Sequence, residues 1–303
     1  MDKNDILRSL RLPVIVAPMF LVSGPELVIA SSKAGLIGSF PGPNARTIED
    51  LESWMSTITS SLDSQLWAFN MIAHNTYDRF QDELALIAKF KPPIVITALG
   101  SPARVLETVH SYGGVVIADV NTVEFAKKCV DYGADGLALV SHGAGGHTGT
   151  LSPFVFASHV REFFEGIVVL AGSISNGSHI RAAQCLGADL CYMGTRFIAT
   201  EESIAAKEYK EMVINSKSTD LTLTNLFTGA DAYYLKDSII NNKLDPENLE
   251  TNDKGFNISG SQDKISAWKD IWSAGQGVGF SNRVQTLESI VTELENEWKV
   301  NKT

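Results

Sequence analysis

The sequence is poor in cysteine, in positive charge and in long apolar runs, and each shortage excludes a class of protein. Its 303 residues hold three cysteines, Cys129, Cys185 and Cys191, with no CxxC spacing, so we expect reduced thiols. A formal net charge of −10 argues against a surface for nucleic acid or anionic lipid. No apolar run could cross a bilayer and the first residues lack a signal core, so we expect a cytoplasmic protein without membrane contacts.

Several motifs of enzyme chemistry are also missing. There is no HExxH and no carboxylate–histidine cluster at ligand spacing, so we expect no metal site. The sequence has no Walker loop and no GxGxxG, and the loop GAGGHTG has neither the spacing nor the chain position of a dinucleotide fingerprint. The absence of GxSxG leaves a serine hydrolase weakly supported.

What the sequence does contain is a series of short, continuous apolar runs, the pattern of parallel strands buried on both faces. Helical segments alternate with them, as over 152–165, where Ser152 suits an N-cap and Pro153 the first turn. Eight such strands, each followed by a helix, predict an α/β fold of the (β/α)8 TIM-barrel type, with a doubly wound open sheet as the alternative. The eight runs are 14–18, 35–40, 66–71, 93–99, 114–120, 136–141, 166–172 and 190–194.

The alternation stops after the eighth run, which suggests three parts. We assign residues 1–215 to the barrel. Residues 216–264 are polar and rich in Asn, Asp, Ser and Thr, and we interpret them as a lid or side-subdomain insertion. Residues 265–303 are predicted to form C-terminal helices, over 265–273 and 283–299, that complete the barrel and its site; they carry a second glycine cluster, GQGVGF, at 275–280.

The ends of the seventh and eighth strands resemble a phosphate site. In a TIM barrel the reactive groups lie at the carboxyl ends of the strands, and the last two loops often hold phosphate through backbone N–H groups. Glycine lets the backbone approach an anion, and serine and threonine hydroxyls add donors. The residues that fit this role are Gly172, Ser173, Gly194 and Thr195. The alternative is that both loops are simply tight left-handed turns.

A loop after the sixth strand concentrates glycine and histidine. Residues 141–149 hold four glycines and two histidines. If phosphate is anchored at the last two strands, an attached ring would lie over the barrel mouth. Gly145 and Gly146 would let the backbone approach that ring, and His147 could hold or move a proton at its edge. The alternative is a histidine that bonds within its own loop.

Four segments together resemble the nitronate monooxygenase family, formerly called 2-nitropropane dioxygenases, over nearly the whole chain. They are PVIVAPM at 13–19, AGGHTG at 144–149, residues 170–203 and AGQGVG at 274–279. The resemblance implies an FMN-dependent barrel in which His147 is the catalytic residue. It also implies flavin contacts at Ala17, Pro18, Met19, Asn70 and Gly146, phosphate contacts at Gly172, Ser173, Gly194 and Thr195, and closure over the flavin by Gln276 and Gly277.

The implied reaction is oxidation of an alkyl nitronate by FMN and O2 to a carbonyl compound and nitrite. The alternative on the same barrel is an NAD(P)H-dependent flavin reductase of quinones or enoyl thioesters; a barrel that merely binds a phosphorylated metabolite is a third. The sequence is compatible with a homodimer.

The sequence departs from the family pattern at two positions. Gly143 stands where many members carry an acidic residue, and Ser173 gives AGSI in place of the commoner AGGI.

Overall fold

Eight parallel strands form one closed barrel in the computed structural model, which describes residues 1–252, 261–262 and 265–300. The isolated bridge between Ile15 and Ile37 closes it, because Val16 N–H donates to Ile37 O at 2.9 Å and Ile37 N–H to Val14 O at 3.0 Å. The predicted TIM barrel is confirmed, and the open sheet is excluded. The barrel strands are β1 (Val14–Val16), β2 (Gly38–Pro41), β3 (Trp67–Ile72), β4 (Ile94–Ala98), β5 (Val115–Val120), β6 (Gly136–Val140), β8 (Ile167–Ala171) and β9 (Leu190–Met193); outside the barrel lie β7 (Gly146–His147), β10 (Leu221–Thr224), β11 (Ala232–Leu235), β12 (Ser261–Gln262) and β13 (Ile265–Ser266).

Helices cover the outside of the barrel, and several begin at capping side chains. Thr47 accepts the Asp50 N–H at 3.0 Å, and Asn176 accepts the His179 N–H at 2.8 Å, so each satisfies a backbone donor of a first turn. The helices are α1 (Lys3–Arg8), α2 (Pro25–Lys33), α3 (Ile48–Ser61), α4 (Phe80–Phe90), α5 (Ala103–Ser111), α6 (Val123–Asp131), α7 (Pro153–Arg161), α8 (Gly177–Cys185), α9 (Thr195–Ile198), α10 (Lys207–Asn215), α11 (Lys236–Asn241) and α12 (Leu287–Val300), with 3₁₀ turns at Gly42–Asn44, Ser218–Asp220 and Val278–Phe280.

Apolar side chains fill the amino-terminal half of the barrel interior. Ile6 of α1 is buried there against the aliphatic inward residues of the strands, such as Ile15, Ile94 and Ile167. Alternate residues of the same strands face outward into the helical layer, where Cys191 of β9 and Val168 of β8 are buried. Since the amino-terminal end is packed with apolar side chains, the polar groups of the interior belong to the carboxyl end.

The segment that follows the barrel packs on the loop after β6. Strands β10 and β11 are antiparallel, and β11 pairs in turn with β7, placing Ala232 opposite His147. A small core that includes Phe227, Tyr234 and Trp268 supports this sheet. We call residues 216–252 together with 265–273 the side subdomain; it lies beside the barrel mouth because β7 belongs to the mouth loop. The part of the predicted insertion at 253–260 and 263–264 lies outside the described residues.

The C-terminal part differs from the prediction at its start. Helix α12 occupies Leu287–Val300, but residues 265–273 form no helix; Ile265–Ser266 is a strand and a turn follows. Asp270 explains the turn, because its carboxylate accepts the Ser266 N–H at 2.8 Å. Trp268 has φ of +70°, a left-handed conformation that a helix cannot contain. Among the described residues, no helix is both long and apolar enough to cross a membrane.

Helix α7 gives a matched test of the core. Phe156 is fully buried in the outer core, whereas Phe154, two residues earlier, is 62% exposed. We expect Phe156→Ala to lower the free energy of unfolding by about 3–5 kcal/mol, because it removes apolar contacts and leaves a cavity. Phe154→Ala, the control, should change it by less than about 0.5 kcal/mol. Urea denaturation measures both; equal effects would contradict the placement of α7.

Candidate active site

The carboxyl ends of the barrel strands bring most of the residues singled out in the sequence to one face. Ala17 N–H donates to Met193 O at 2.9 Å, which ties the end of β1 to that of β9. A Cβ on Gly194 would lie 3.3 Å from Met19 Sδ and 3.4 Å from Ala17 Cβ, so these two ends touch. Pro18 lies between Ala17 and Met19, and Asn70 points into the interior from β3, where its Nδ2 donates to Ile96 O at 3.4 Å.

The glycine loop after β6, residues 141–149, packs backbone against backbone on the glycine cluster at 275–280. Gly143 O accepts both the Ser173 N–H at 3.3 Å and the Gln276 N–H at 3.1 Å. Gly275 N–H donates to Thr195 Oγ1 at 2.8 Å. A Cβ on Gly145 would lie 2.7 Å from Gly275 N, too close for any side chain. The contact therefore requires glycine, and it brings residues more than a hundred positions apart to the ends of β6, β8 and β9.

A cavity of about 450 Å³ opens beside this contact, at the end of β8 and the start of α8. Its wall carries three hydroxyl groups, an imidazole and an amide, so it can offer several hydrogen bonds to an anion. His179 Nδ1 accepts the Ser175 N–H at 3.1 Å, which places the proton of the neutral ring on Nε2. The lining residues are Ser173, His179, Ser218, Thr219, Gln276, Gly277 and Phe280.

The backbone at the end of β8 is left-handed at two consecutive residues. Gly172 has φ of +118° and Ser173 has φ of +58°. Glycine adopts this conformation freely, whereas for serine it costs on the order of 1–2 kcal/mol. Ser173 gains a compensating contact, since its hydroxyl donates to Gln276 Oε1 at 3.3 Å. A Cβ on Gly172 would lie 2.8 Å from His142 O, so a side chain there would push the loops after β6 and β8 apart.

A chain of hydrogen bonds continues from Gln276 to the side subdomain. Gln276 Nε2 donates to Tyr233 OH at 2.8 Å, and Tyr233 OH lies 2.9 Å from His142 Nε2. The phenol oxygen accepts from the amide and can donate its single hydrogen to His142 when Nε2 of that ring is unprotonated. The chain Ser173–Gln276–Tyr233–His142 thus joins the barrel, the C-terminal loop and β11 in one network.

The structure places His147 at the junction of the mouth loop and the side subdomain. Its Nε2 lies 3.0 Å from Thr228 Oγ1, and its ring meets the Trp268 ring edge-on at a centroid distance of 5.4 Å. Burial lowers the pKa of His147 to about 4, so the imidazole is neutral at physiological pH. His147 does not line the cavity at Ser173 but lies one residue beyond Gly146, whose N–H donates to Ser273 Oγ at 2.9 Å.

Some residues near the site were not singled out from the sequence. His179 belongs to none of the motifs, and Ser218 and Thr219 lie in the polar segment 216–264. Asp119 of β5 and Tyr192 of β9 face the barrel interior. The sequence offers a signal for both: Asp119 interrupts the apolar run GVVIADV, and Tyr192 lies in LCYMG. A polar side chain in a strand buried on both faces is costly unless it is paired, so it indicates a candidate functional residue. No group of three metal-ligating side chains occurs in the part of the chain that the structure describes.

The geometry suits a ligand with a phosphate at the ends of β8 and β9 and a flat group over the mouth. A family model described as nitronate monooxygenase matches residues 49–294. In overall structure, the chain is similar to a mutant of FabK from Thermotoga maritima, with a TM-score of 0.81, 25% identity, and coverage of 98% of this chain and 95% of that one.

Two curated relatives are similar to most of this chain but to a smaller share of their own lengths. A hydroxy-methyl-oxo-octahydroindene-carboxyl-CoA dehydrogenase from Rhodococcus jostii (strain RHA1) is 27% identical over 76% of this chain and 64% of its own length. A probable nitronate monooxygenase from Staphylococcus haemolyticus (strain JCSC1435) is 25% identical over 80% of this chain and 71% of its own length. The match thus spans less than two thirds of the first relative.

The buried imidazole predicts a pH-dependent stability. The pKa of His147 is about 4 in the folded protein, below its ordinary value of 6.5. As pH falls below 6.5, the unfolded chain binds a proton that the folded chain refuses, so folding stability is complete above pH 6.5 and declines toward pH 4. The decline attributable to this residue should reach about 3 kcal/mol.

The decline is measured by urea denaturation of the wild type and of His147→Gln at a series of pH values from about 7.5 to about 4. The difference between the two proteins should shrink or reverse at the acid end. His159→Gln, at an exposed histidine of α7, is the matched control and should follow the wild type. Parallel curves for the wild type and His147→Gln would show that His147 is not a buried neutral residue.

Proposed function

The chain belongs to the nitronate monooxygenase family of flavin-dependent oxidoreductases, and we propose that it uses FMN and O2 to oxidise alkyl nitronates to carbonyl compounds and nitrite. The carrying observation is the partly buried imidazole of His147, held between Thr228 and Trp268 and neutral at physiological pH because its pKa is lowered to about 4. Such a ring is a weak base at neutral pH, so the site suits a substrate that arrives already deprotonated. A nitronate is such a substrate, because it is a carbanion equivalent and needs a hydrogen-bond partner more than a base.

The residues at the strand ends fit FMN by their chemistry. The left-handed Gly172, with Gly194 and Thr195, would hold the phosphate through backbone N–H groups and a hydroxyl. Ser173 would join them by turning its hydroxyl from Gln276 Oε1 to the phosphate. Thr195 Oγ1 already accepts the Gly275 N–H, so its own hydrogen is left to donate. When bound, the flavin supplies the electron transfer and the reaction with O2. The residues proposed to contact the ring are Ala17, Pro18, Met19, Asn70 and Gly146, with Gln276 and Gly277 covering it from the C-terminal loop.

Thr228 governs which nitrogen of His147 can act on the substrate. Thr228 Oγ1 also lies 3.1 Å from Ala230 O. When the hydroxyl donates to Ala230, His147 Nε2 donates to Thr228 and Nδ1 is an acceptor. When the hydroxyl turns to His147, Nδ1 carries the proton and becomes a donor for a nitronate oxygen. The ring stays neutral in both arrangements, and Trp268 holds its orientation.

A second candidate is reduction or oxidation of a thioester substrate with a nicotinamide cofactor. The observation that favours it is the Rhodococcus jostii relative, whose name gives a carboxyl-CoA as its substrate. Quinones are a further substrate class for such a flavin reductase. The two candidates differ in the first electron donor, which is the nitronate in one case and NAD(P)H in the other.

An anaerobic spectrum separates the two candidates. We expect the purified protein to show a flavin spectrum that propyl-2-nitronate bleaches within the mixing time and that NADH and NADPH leave unchanged. Heat release of the flavin followed by chromatography should identify FMN. Bleaching by a nicotinamide but not by nitronate would replace the proposal with the reductase. A protein that takes up no flavin would overturn both.

Substitutions at the histidine junction test the role of His147. His147→Gln should lower kcat/KM for nitronate by about 10²–10³-fold, because a positioned donor is lost. Thr228→Val should lower it by about tenfold, since one hydrogen bond that orients the ring is lost. Both variants should keep their FMN. Thr57→Val, on the outer face of α3, is the matched control and should be unchanged; unaltered kinetics of His147→Gln would remove the residue from the mechanism.

A further inference from the structure

The floor of the barrel mouth holds two polar atoms for which the protein provides no partner. Asp119 Oδ1 and Tyr192 OH are both buried, and neither has a hydrogen bond to any described residue. They come from strands on different sides of the barrel, β5 and β9, and both side chains point inward. A buried carboxyl or phenol without a hydrogen-bond partner destabilises the folded protein. Such groups are rare in native structures and often have a function.

The two groups share one interior space. Asp119 is in phase with the inward Ile117 on β5, and Tyr192 is inward on β9. Burial, and after it the charge of Asp119, raises the pKa of Tyr192 well above its ordinary value, so the two groups interact electrostatically. The phenol is therefore a permanent hydrogen-bond donor. Burial alone raises the pKa of Asp119, to about 7, so its carboxyl exchanges a proton in the physiological range.

The surroundings of Asp119 contain little else that titrates. The neighbouring strands β4 and β6 contribute Ile96 and Ala138 to the interior. The other inward side chains near the strand ends are Asn70 on β3, Ala17 after β1, Ala171 on β8 and Tyr192. The rim histidines are engaged elsewhere, His142 with Tyr233 and His147 with Thr228. Tyr192 is thus the titratable partner of Asp119 within the described interior.

Asp119 also lies where a ligand at the mouth would meet the barrel. It is near the carboxyl end of β5, partly exposed although its Oδ1 is buried, and on the same face as Asn70. The neighbouring inward positions Ala17 and Ala171 carry small side chains. The polar edge of a flat heteroaromatic ring, with alternating donors and acceptors, could bond both Asp119 and Tyr192.

We propose that Asp119 and Tyr192 form a proton-bearing floor that hydrogen-bonds the polar edge of the flavin ring and sets how readily the ring is reduced. The proposal rests on the flavin of the proposed function but not on the nitronate substrate. Protonated Asp119 donates to the ring edge and favours the negative charge that reduction adds. Ionised Asp119 repels that charge, so reduction becomes harder as pH rises through the titration of the carboxyl.

The test is a pH titration of the flavin-loaded protein without substrate. We expect the visible absorption spectrum of the bound oxidised flavin to titrate with a midpoint near pH 7, and Asp119→Asn to abolish that titration. The reduction potential, measured against dye standards, should be higher in Asp119→Asn than in the wild type at pH 8.5. The two potentials should converge at pH 5.5, where the wild-type carboxyl is protonated.

Two further variants make the result specific. Tyr192→Phe should lower the reduction potential at both pH values, because the polar edge of the ring loses a donor; an unchanged potential would remove Tyr192 from the pair. Asp131→Asn, at the exposed end of α6, should behave as the wild type. A flavin spectrum constant from pH 5.5 to 9 would overturn the floor while leaving the proposed reaction intact. Absence of any flavin spectrum would overturn both.

Discussion

One carbonyl oxygen holds the candidate site together. Gly143 O accepts the N–H groups of Ser173 and Gln276, so the loop after β6 fixes both the loop after β8 and the C-terminal glycine cluster. The cavity, the hydrogen-bond chain through Tyr233 and the placement of Gly146 all follow from that junction. Gly143 itself is left-handed, with φ of +86°, and a Cβ there would lie 2.2 Å from Ser173 Oγ. Any side chain at this position would therefore be strained and would have to displace the side chains of Ser173 and Gln276. An acidic residue would change the packing observed here.

Burial gives the site its electrostatic character. The protein carries a net charge of −10, yet the ionisable groups nearest the mouth are shifted toward their neutral forms. Burial lowers the pKa of His147 and raises the pKa of Asp119, opposite directions with one cause. Because His147 is neutral, it adds no fixed charge of its own where an anionic substrate would approach, whereas Asp119 exchanges its proton near pH 7. At His147 the hydrogen-bond geometry, set by Thr228, therefore matters more than charge.

The sequence predicted the barrel well because its signals are local. Continuous apolar runs depend on neighbouring residues alone, and so does the start of α7 at Pro153, which follows Ser152 although the Ser152 side chain makes no capping bond. The error over 265–273 shows the limit of such signals: the segment has helical composition, but Trp268 is left-handed because its ring packs on His147 and Tyr234 of the side subdomain. Likewise, nothing near His179 in the chain reveals that it shares a cavity with Ser218 and Gln276.

The sequence by itself determined the strand count, the polarity of the barrel and which loops carry glycine, because spacing and side-chain size are properties of the chain. Only the tertiary structure decided which loops meet. The contact of Gly145 with Gly275, the partners of His147 and the shared barrel interior of Asp119 and Tyr192 each bring together residues more than seventy positions apart. Such contacts depend on barrel closure, and so do the burial and the pKa shifts that give these residues their chemistry.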